Sequence, residues 1–534
     1  MPVTPTYPGI YIQEILSTSH SVTAAPTSVT VFIGYPHPFK AKEEHYGQAV
    51  EIFSPQEYDR EFGGSVSVGW LSDDLAQAVY QFFLNGGADA IIVAVRPGLY
   101  PLATGVRQEL NPPVLSVMTD ATHGVTLTGR EPVDAQHPMT VSLINPKSSV
   151  SGGPTDIIDI TVSASSGTET FRGVSLADGG VSLEQILGTK DTPVSSLVTV
   201  AAAGANYPSA WPGALAPTPL IDAATAATAP PFSTYHAADF AAAFADDSAL
   251  DKVAVFNLLL TPGIWDNGVV GQALAMCERK RAFMVLDPPA EAVADQTNSP
   301  RPLMADIMTD ATTTTIPKSQ NGAVYFPYLR CTNPSGVQIS LPPSGFVAGV
   351  IAREDNNRGV WKAPAGYEAL VTTTTGVVDS GRMTDPRHGT LNKVGVNCLR
   401  QFPGVGTVVF GARTLVSANP AFEQYKYVPV RRMALFLEQS LYASLKWAIH
   451  EPNDAPLWVS IRTTVENFLL GLFKQGALQG STPSQAFQVI CDATTTTPDD
   501  QAQGIVNIVV AFAPLKPAEF VIVKLAQLAG QTQS

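Results

Sequence analysis

The sequence predicts a multidomain α+β and α/β protein. An α/β core domain carries a β-rich insertion, a C-terminal α+β domain follows, and an extended strand arm lies at each end. Three observations predict this. Strand-period and helix-period segments alternate over residues 29–100 and again over 236–345. Between them, residues 101–235 turn rich in Ser, Thr, Gly, Pro and Ala and show only short alternating runs. The last third holds two consecutive amphipathic helices. At 534 residues the chain also exceeds what one hydrophobic core can serve.

Residues 1–28 form the N-terminal arm and linker. Tyr7, Pro8 and Gly9 break any helix, and Ile10 and Ile12 then alternate with Tyr11 and Gln13, the period of a strand. No partner strand is close in sequence, and STSHSVTAAPTS after it is linker-like. Such a strand can pair with a distant strand of its own chain or of a neighbour. An ordinary edge strand of its own domain is the competing reading.

Residues 29–100 read as strand, helix, strand. VTVFIGY is a buried strand. DDLAQAVYQFFLNGG is a helix with Leu75, Val79, Phe82 and Phe83 inward, closed by Gly86. ADAIIVAVR is the next strand, in parallel pairing. A phosphate loop would follow the first strand, but YPHPFK has no glycine run and proline has no N–H to offer, so no nucleotide site is expected. In the β-rich insertion, 101–235, strands are expected at MTVSLI, IIDITVSAS and ETFRGVSL, and an Ala/Pro-rich surface excursion at 201–231. Residues 101–250 hold 14 acidic against 5 basic residues, a net of −9, which suits a solvated outer surface.

Residues 236–345 resume the α/β pattern with strands KVAVFNLLL, AFMVLDPP and AVYFPYLRC. Between the first two lies the helix NGVVGQALAMCERK, with Val270, Leu274 and Cys277 on one face. Together with 29–100 they make one α/β domain. The C-terminal domain is placed at 346–534. It opens on the helix SGFVAGVIAREDNNRG, with Ser344 as its cap, and Asn392–Phe410 alternates strands with glycine turns. Val430, Ala434, Leu437, Leu441, Leu445 and Ala448 then line one helix face, Leu435, Tyr442 and Ile449 widen it, and the helix stops at His450 before Pro452. The next helix repeats the pattern with Trp458, Ile461, Val465, Phe468 and Leu472 and stops at Gly476. Phe520 to Leu525 read as a terminal strand.

Composition excludes several function classes. The net charge of −14, without a basic run of five or more, argues against direct nucleic-acid binding. Cys277, Cys331, Cys398 and Cys491 lie far apart in apolar settings and read as buried thiols, not zinc ligands. The N-terminus lacks the pattern of a secretory signal, and the longest apolar runs are too short to span a membrane, so cytoplasmic assembly without membrane insertion is expected. No GxSxG, GxxxxGK[ST] or HExxH occurs. The glycines of GVGTVVFG precede no helix and have the wrong third spacing for a dinucleotide loop. His450, Glu451 and Asp454 read as helix-end residues. Asp287 stands at the carboxyl end of a strand, where α/β enzymes place catalytic groups, but Pro288 and Pro289 follow it and no partner base is identifiable. An α/β hydrolase-like enzyme with a β-rich accessory domain is the alternative reading. It rests on the fold pattern alone.

Four separated stretches carry a resemblance: YPGIYIQE near the N-terminus, PPSGFVAGVIAREDNNRGVWKAPAG, YVPVRRMALFLEQSLYASLKWAIHEPND, and PAEFVIVKLAQ near the C-terminus. In that order they resemble the contractile tail sheath proteins of phage tails, R-type pyocins and related contractile injection systems. The resemblance covers both ends and residues 340–534 and fades over 100–235. It implies a structural protein, not an enzyme, with no cofactor, metal or nucleotide. Such proteins stack as six-fold rings around an inner tube protein, end on baseplate and terminal cap proteins, and contract to drive the tube through a target membrane. Their terminal arms add strands to sheets of neighbouring subunits. Here the matching residues are Gly9, Ile10, Tyr11, Ile12 and Gln13, and Phe520, Val521, Ile522, Val523, Lys524 and Leu525. The C-terminal domain faces the tube, with Lys426, Arg431 and Arg432 as candidate contacts, and inserted domains face outward. Arg431 and Arg432 open a helix, where the dipole disfavours cations. A compensating partner is therefore expected, with Glu423 or another internal carboxylate as the competing choice to a tube.

Overall fold

The computed structural model describes residues 20–66, 73–101, 107–133, 137–147, 155–211, 213–220, 232–233, 236–293, 303–309, 317–332, 338–378 and 383–525. Two compact units emerge. One comprises residues 28–354 and 364–426; the other comprises 1–27, 355–363 and 427–534.

The larger unit is built on an eight-stranded sheet: β1 Thr30–Gly34, β2 Ala49–Ile52, β3 Ala90–Ala94, β4 Leu258–Leu260, β5 Phe283–Leu286, β6 Gly322–Phe326, β7 Val396–Phe402 and β8 Gly406–Val409. Their spatial order is β2-β3-β1-β4-β5-β6-β7-β8. The inner pairs are parallel, with Thr30–Phe32 against Leu258–Leu260 and Val324–Phe326 against Val396–Cys398. Only the edge strands β2 and β8 run antiparallel. Every residue of β1, β3, β4 and β5 is buried, as continuous Val/Ile/Leu/Phe runs in a parallel sheet covered on both faces demand.

Helices close the crossovers. α1 (Asp74–Leu84) buries Leu75, Val79 and Phe82, leaves Phe83 half-buried, and is followed by Gly86 at φ +117°. α2 (Asn267–Lys280) starts where the Asp266 carboxylate accepts the Gly268 and Val269 N–H groups, and it buries Val270, Leu274 and Cys277. The segment AVYFPYLRC, expected as one strand, divides: β6 ends at Phe326, Pro327 interrupts, and Leu329–Thr332 pairs in a separate small sheet. The boundary at 346 also needs correction. β7 and β8, assigned by sequence to the C-terminal domain, extend the main sheet.

The described residues of 107–220 fold mainly as antiparallel strands. Thr140–Ile144, Ile157–Ala164 and Gly167–Ser175 form a sheet with Ala214–Pro219, and Val114–Met118, Gly124–Gly129 and Val198–Ala202 form another. They share a core of Val, Leu and Ile closed by Trp211. Of the expected Ala/Pro-rich excursion, residues 214–219 are thus a strand, and 221–231 lie outside the described residues. Buried Glu131 joins this part to the main sheet. It accepts from Lys40 Nζ and from His37 Nε2 at 3.1 Å, while His37 Nδ1 accepts the Phe39 N–H. Burial holds His37 below the ordinary imidazole value.

Asp287 ends β5 as a structural cap. α3 (Ser344–Arg358) begins above it: Asp287 Oδ1 accepts the Ser344 N–H, and Oδ2 accepts the Ser344 hydroxyl, both at 2.6 Å. Oδ2 also takes the Gly263 N–H at 2.9 Å. The carboxylate therefore caps the helix, and Ser344, expected as the cap, is the first residue it holds. Burial pushes the Asp287 carboxyl up to about 7. Between the ordinary carboxylate range and pH 7 the native state holds a proton that the unfolded chain lacks. Stability therefore falls as pH rises through that window and levels above it. Asp287→Ala removes this slope and orphans three donors, two of them buried, at a cost of about 2–4 kcal/mol at pH 5. Urea unfolding at pH 5 and pH 8 measures both; equal pH slopes in the two proteins would exclude the assignment.

Candidate assembly site

In the smaller unit the sequence writes two helices. α4 (Val428–Ser444) carries Pro429 in its first turn, where the missing N–H is harmless. It is buried on all sides from Val428 to Leu437. It stops at Ser444, six residues before His450, and a 3₁₀ turn covers Lys446–Ala448. Tyr442, still within α4, and Ile449, past its stop, were expected to widen the buried face but are 62% and 63% exposed. His450 lies in a turn at φ +72°. α5 (Ala455–Lys474) is capped by Asp454, whose carboxylate accepts the Leu457 N–H. It ends at Gly476 as expected. With φ at +77°, Gly476 N–H bonds to Phe473 O, and Ala477 N–H bonds to Leu472 O. Trp458, Ile461, Val465 and Leu472 are buried and Phe468 is half-buried.

Behind α5 lies a two-stranded antiparallel sheet, Phe487–Ile490 against Val509–Phe512. Among the described residues no strand lies along the outer edge of either. The chain then continues through a bridge from Leu478 to Pro514 and a 2.9 Å bond from the Tyr427 hydroxyl to Glu519. From there the described residues pair with no strand. Phe520, Val521, Ile522, Val523 and Leu525 are 72%, 82%, 81%, 74% and 93% exposed, Lys524 is exposed, and none of them lies in a strand. The other expected arm, Gly9 to Gln13, lies outside the described residues. Its base does not. Ala25 and Thr23 N–H groups bond to the Ser440 and Ser444 hydroxyls at 2.9 and 3.0 Å, and the His20 ring stacks on Trp447 at 3.7 Å.

The three candidate contact cations each meet an internal carboxylate. Lys426 is 3.5 Å from Glu423, the carboxylate that the sequence offered to Arg431 and Arg432. Arg431 is 3.2 Å from Glu438 and largely buried. Arg432 is sequestered from the surface of its unit: its guanidinium forks onto Asp355 at 2.8 and 2.6 Å and donates to Thr27 O at 2.8 Å. The side chains of Arg432 and Asp355 are 3% and 1% exposed. Sequence reasoning missed Asp355, which lies 77 positions away. The four cysteines are buried free thiols. Among the described residues no cluster of His, Cys, Asp and Glu suits a metal ion, and no helix is long and apolar enough to cross a membrane.

Two family models match in tandem: the phage tail sheath protein central domain over residues 231–415 and the phage tail sheath C-terminal domain over 421–527. The tail sheath protein of Enterobacteria phage T4 is 27% identical over 160 residues, 30% of this chain and 22% of that protein. The tail sheath protein of Vibrio phage KVP40 is 26% identical over 29% of this chain and 22% of its own length. These matches thus span about a fifth of those relatives. Solved structures share the fold along nearly the whole chain. The contracted helical sheath of the anti-feeding prophage aligns with a TM-score of 0.56 and 22% identity, covering 98% of this chain and all of that one. The contracted sheath of the extracellular contractile injection system PVC gives the same score and identity over 98% and 99%. A sheath tail protein from Desulfitobacterium hafniense gives 0.55 at 10% identity over 94% and 100%. The tandem family matches, laid along the sheet and helices described above, show that the chain belongs to the phage tail sheath family, whose members are structural sheath proteins and not enzymes.

Proposed function

We propose that this chain polymerises by strand exchange into a helical, six-fold cylinder around an inner tube, and that contraction of the cylinder drives the tube through a target membrane. The observation that carries this reading is the exposed apolar run Phe520–Leu525, on a unit that also holds a two-stranded sheet along neither edge of which a further strand lies among the described residues. A run of this kind gains by pairing in a neighbour's sheet, where its backbone groups are satisfied and its side chains buried. Donor and acceptor surfaces differ, so the contact is heterologous, and repetition without closure gives a helix. The N-terminal residues Gly9 to Gln13 supply a second arm. The work of contraction comes from interface energy held in a kinetically trapped extended lattice.

Partners on this reading are further copies of the chain, an inner tube protein, and baseplate and terminal cap proteins. Assembly takes place in the cytoplasm, within a phage tail or tail-like particle. The acidic β-rich part faces outward. Of the three cations read from sequence, Lys426 and Arg431 remain tube-contact candidates, while Arg432 serves the interior of its unit.

Negative-stain electron microscopy of the full chain, with and without the tube partner, tests the reading. Hollow cylinders with six-fold end views are expected, and monodisperse globular particles in both samples would overturn it. Deleting residues 1–20 is expected to leave a soluble, folded monomer that makes no cylinders. Tubes from that truncation would sink the strand-exchange mechanism while leaving the sheath class standing.

A further inference from the structure

The β-rich part meets the loop after β1 at a buried charged cluster, and the hydrogen bonds of that cluster fix the state of His37. An ionised carboxylate can only accept, so His37 Nε2 carries the proton in its 3.1 Å bond to Glu131. His37 Nδ1 accepts the Phe39 N–H at 3.2 Å and is therefore bare. The ring is thus the neutral Nε2–H tautomer with both nitrogens engaged. It is fully buried, and Glu131 is 2% exposed.

The surrounding charges balance only in that state. Glu131 brings one negative charge, and Lys40, three residues after His37, answers it by donating from Nζ. Burial alone would raise the Glu131 carboxyl, but His37 and Lys40 hold it below the usual carboxylate range. Arg130 adds a second cation near the ring, its guanidinium bonded to Ser195 O at 2.7 Å. On the other side packs the helix Pro55–Phe62. Its Phe62 carbonyl accepts the His37 N–H, and a Cβ on Gly63, which follows it, would fall 2.9 Å from His37 Cβ. The carboxylates of that helix are engaged elsewhere: Glu61 by Lys42, His45 and Arg60, Asp59 by the Tyr80 hydroxyl, and Glu57 by the Phe53 N–H. A second proton on His37 has only Nδ1 to enter. It would expel the Phe39 N–H and create a buried cation that Glu131, already matched by Lys40, does not balance.

We infer that this cluster is an acid-released latch, which holds the β-rich part to the main sheet while His37 is neutral and lets go when His37 takes a proton. Burial lowers His37 from its ordinary value of 6.5, so the docked state binds fewer protons than the released one. The latch is therefore complete above that value and weakens as the pH falls below it. One proton shifts the equilibrium by up to about tenfold per pH unit. Glu131, held low, adds to the release only in the carboxylate range further down. None of these residues belongs to either arm, so the latch and strand exchange stand or fall separately.

The test is hydrogen–deuterium exchange of the full chain, read by mass spectrometry. Protection, the intrinsic rate at each pH divided by the observed rate, reports the opening equilibrium even where opening is rare. From pH 7 to pH 5 the peptide holding Phe39 is expected to lose about tenfold in protection, with no matching fall at β5. H37Q cannot take the proton and should show no such fall. A bis-maleimide cross-link between Glu44→Cys and Lys190→Cys should suppress it, because both positions are exposed and Lys190 acts on Glu43 across the joint. The four native thiols are buried and stay out of that reaction. Should H37Q fail to fold, the wild-type and cross-linked chains still decide. Constant protection of the Phe39 peptide in wild type, or an equal fall in H37Q or in the cross-linked chain, overturns the proposal.

Discussion

Replacing Phe520 and Ile522 together by serine, or Val521 and Val523 together, is expected to stop the chain from forming cylinders in one case and only to weaken assembly in the other. Successive side chains on a strand point to opposite faces. Once the segment joins a neighbour's sheet, one alternate pair enters that neighbour's core and the other pair faces away. All four are more than 70% exposed in their own chain, so each has apolar surface left to bury. A side chain of this size contributes about 1.5–3 kcal/mol when fully buried. Losing two of them therefore weakens each contact by about 10²- to 10⁴-fold. A helical lattice repeats the contact at every subunit, so the loss compounds. Sedimentation velocity reads assembly, and thermal unfolding reads the monomer, which should be unchanged because the replaced side chains support nothing in their own unit. Cylinders from a variant with all four residues replaced would exclude this segment as the donor strand.

What the sequence made legible follows from how local each signal is. β1, β3 and β5 announce themselves because a strand buried on both faces needs an unbroken apolar run. Gly476 is legible because only a left-handed residue ends that helix in this way. Pairing is another matter. β7 reads as a strand, yet nothing near it in the chain says that its partner is β6, with Val396 opposite Val324. Ala214–Pro219 looked like an excursion because alanine and proline dominate it. The register of its pairing shifts between Leu215 and Thr218, and Pro217 sits in that irregularity, where a missing N–H is tolerated. Tyr442 and Ile449 were assigned to the buried stripe by continuing a 3.6 period to the end of α4 and beyond its stop at Ser444. In the candidate site, the exposed terminal run was visible as composition. The open sheet it accompanies was not, because an unpaired edge is a property of three-dimensional neighbours.

Arg432→Met is expected to destabilise the smaller unit by about 3–5 kcal/mol, with most of the loss restored by adding Asp355→Leu. The helix dipoles explain why the pair is obligatory. Arg432 lies in the second turn of α4, near an end that repels cations, and Asp355 lies in the last turn of α3, at an end that repels anions. Each charge is buried and each is poorly placed for its own helix, so each is stabilised mainly by the other through the paired 2.8 and 2.6 Å bonds. Removing the arginine leaves a buried carboxylate with nothing opposite. It also frees the Thr27 carbonyl, which accepts from Arg432. Replacing both charges removes the desolvation cost along with the attraction, so the double variant should approach wild type. Arg432→Lys should recover only part of the loss, because an ammonium cannot bridge both carboxylate oxygens and the carbonyl in that forked geometry. Chemical denaturation of the four proteins of the cycle, followed by tryptophan fluorescence, gives the coupling directly. A coupling near zero would mean that the ion pair is incidental to the fold of this unit.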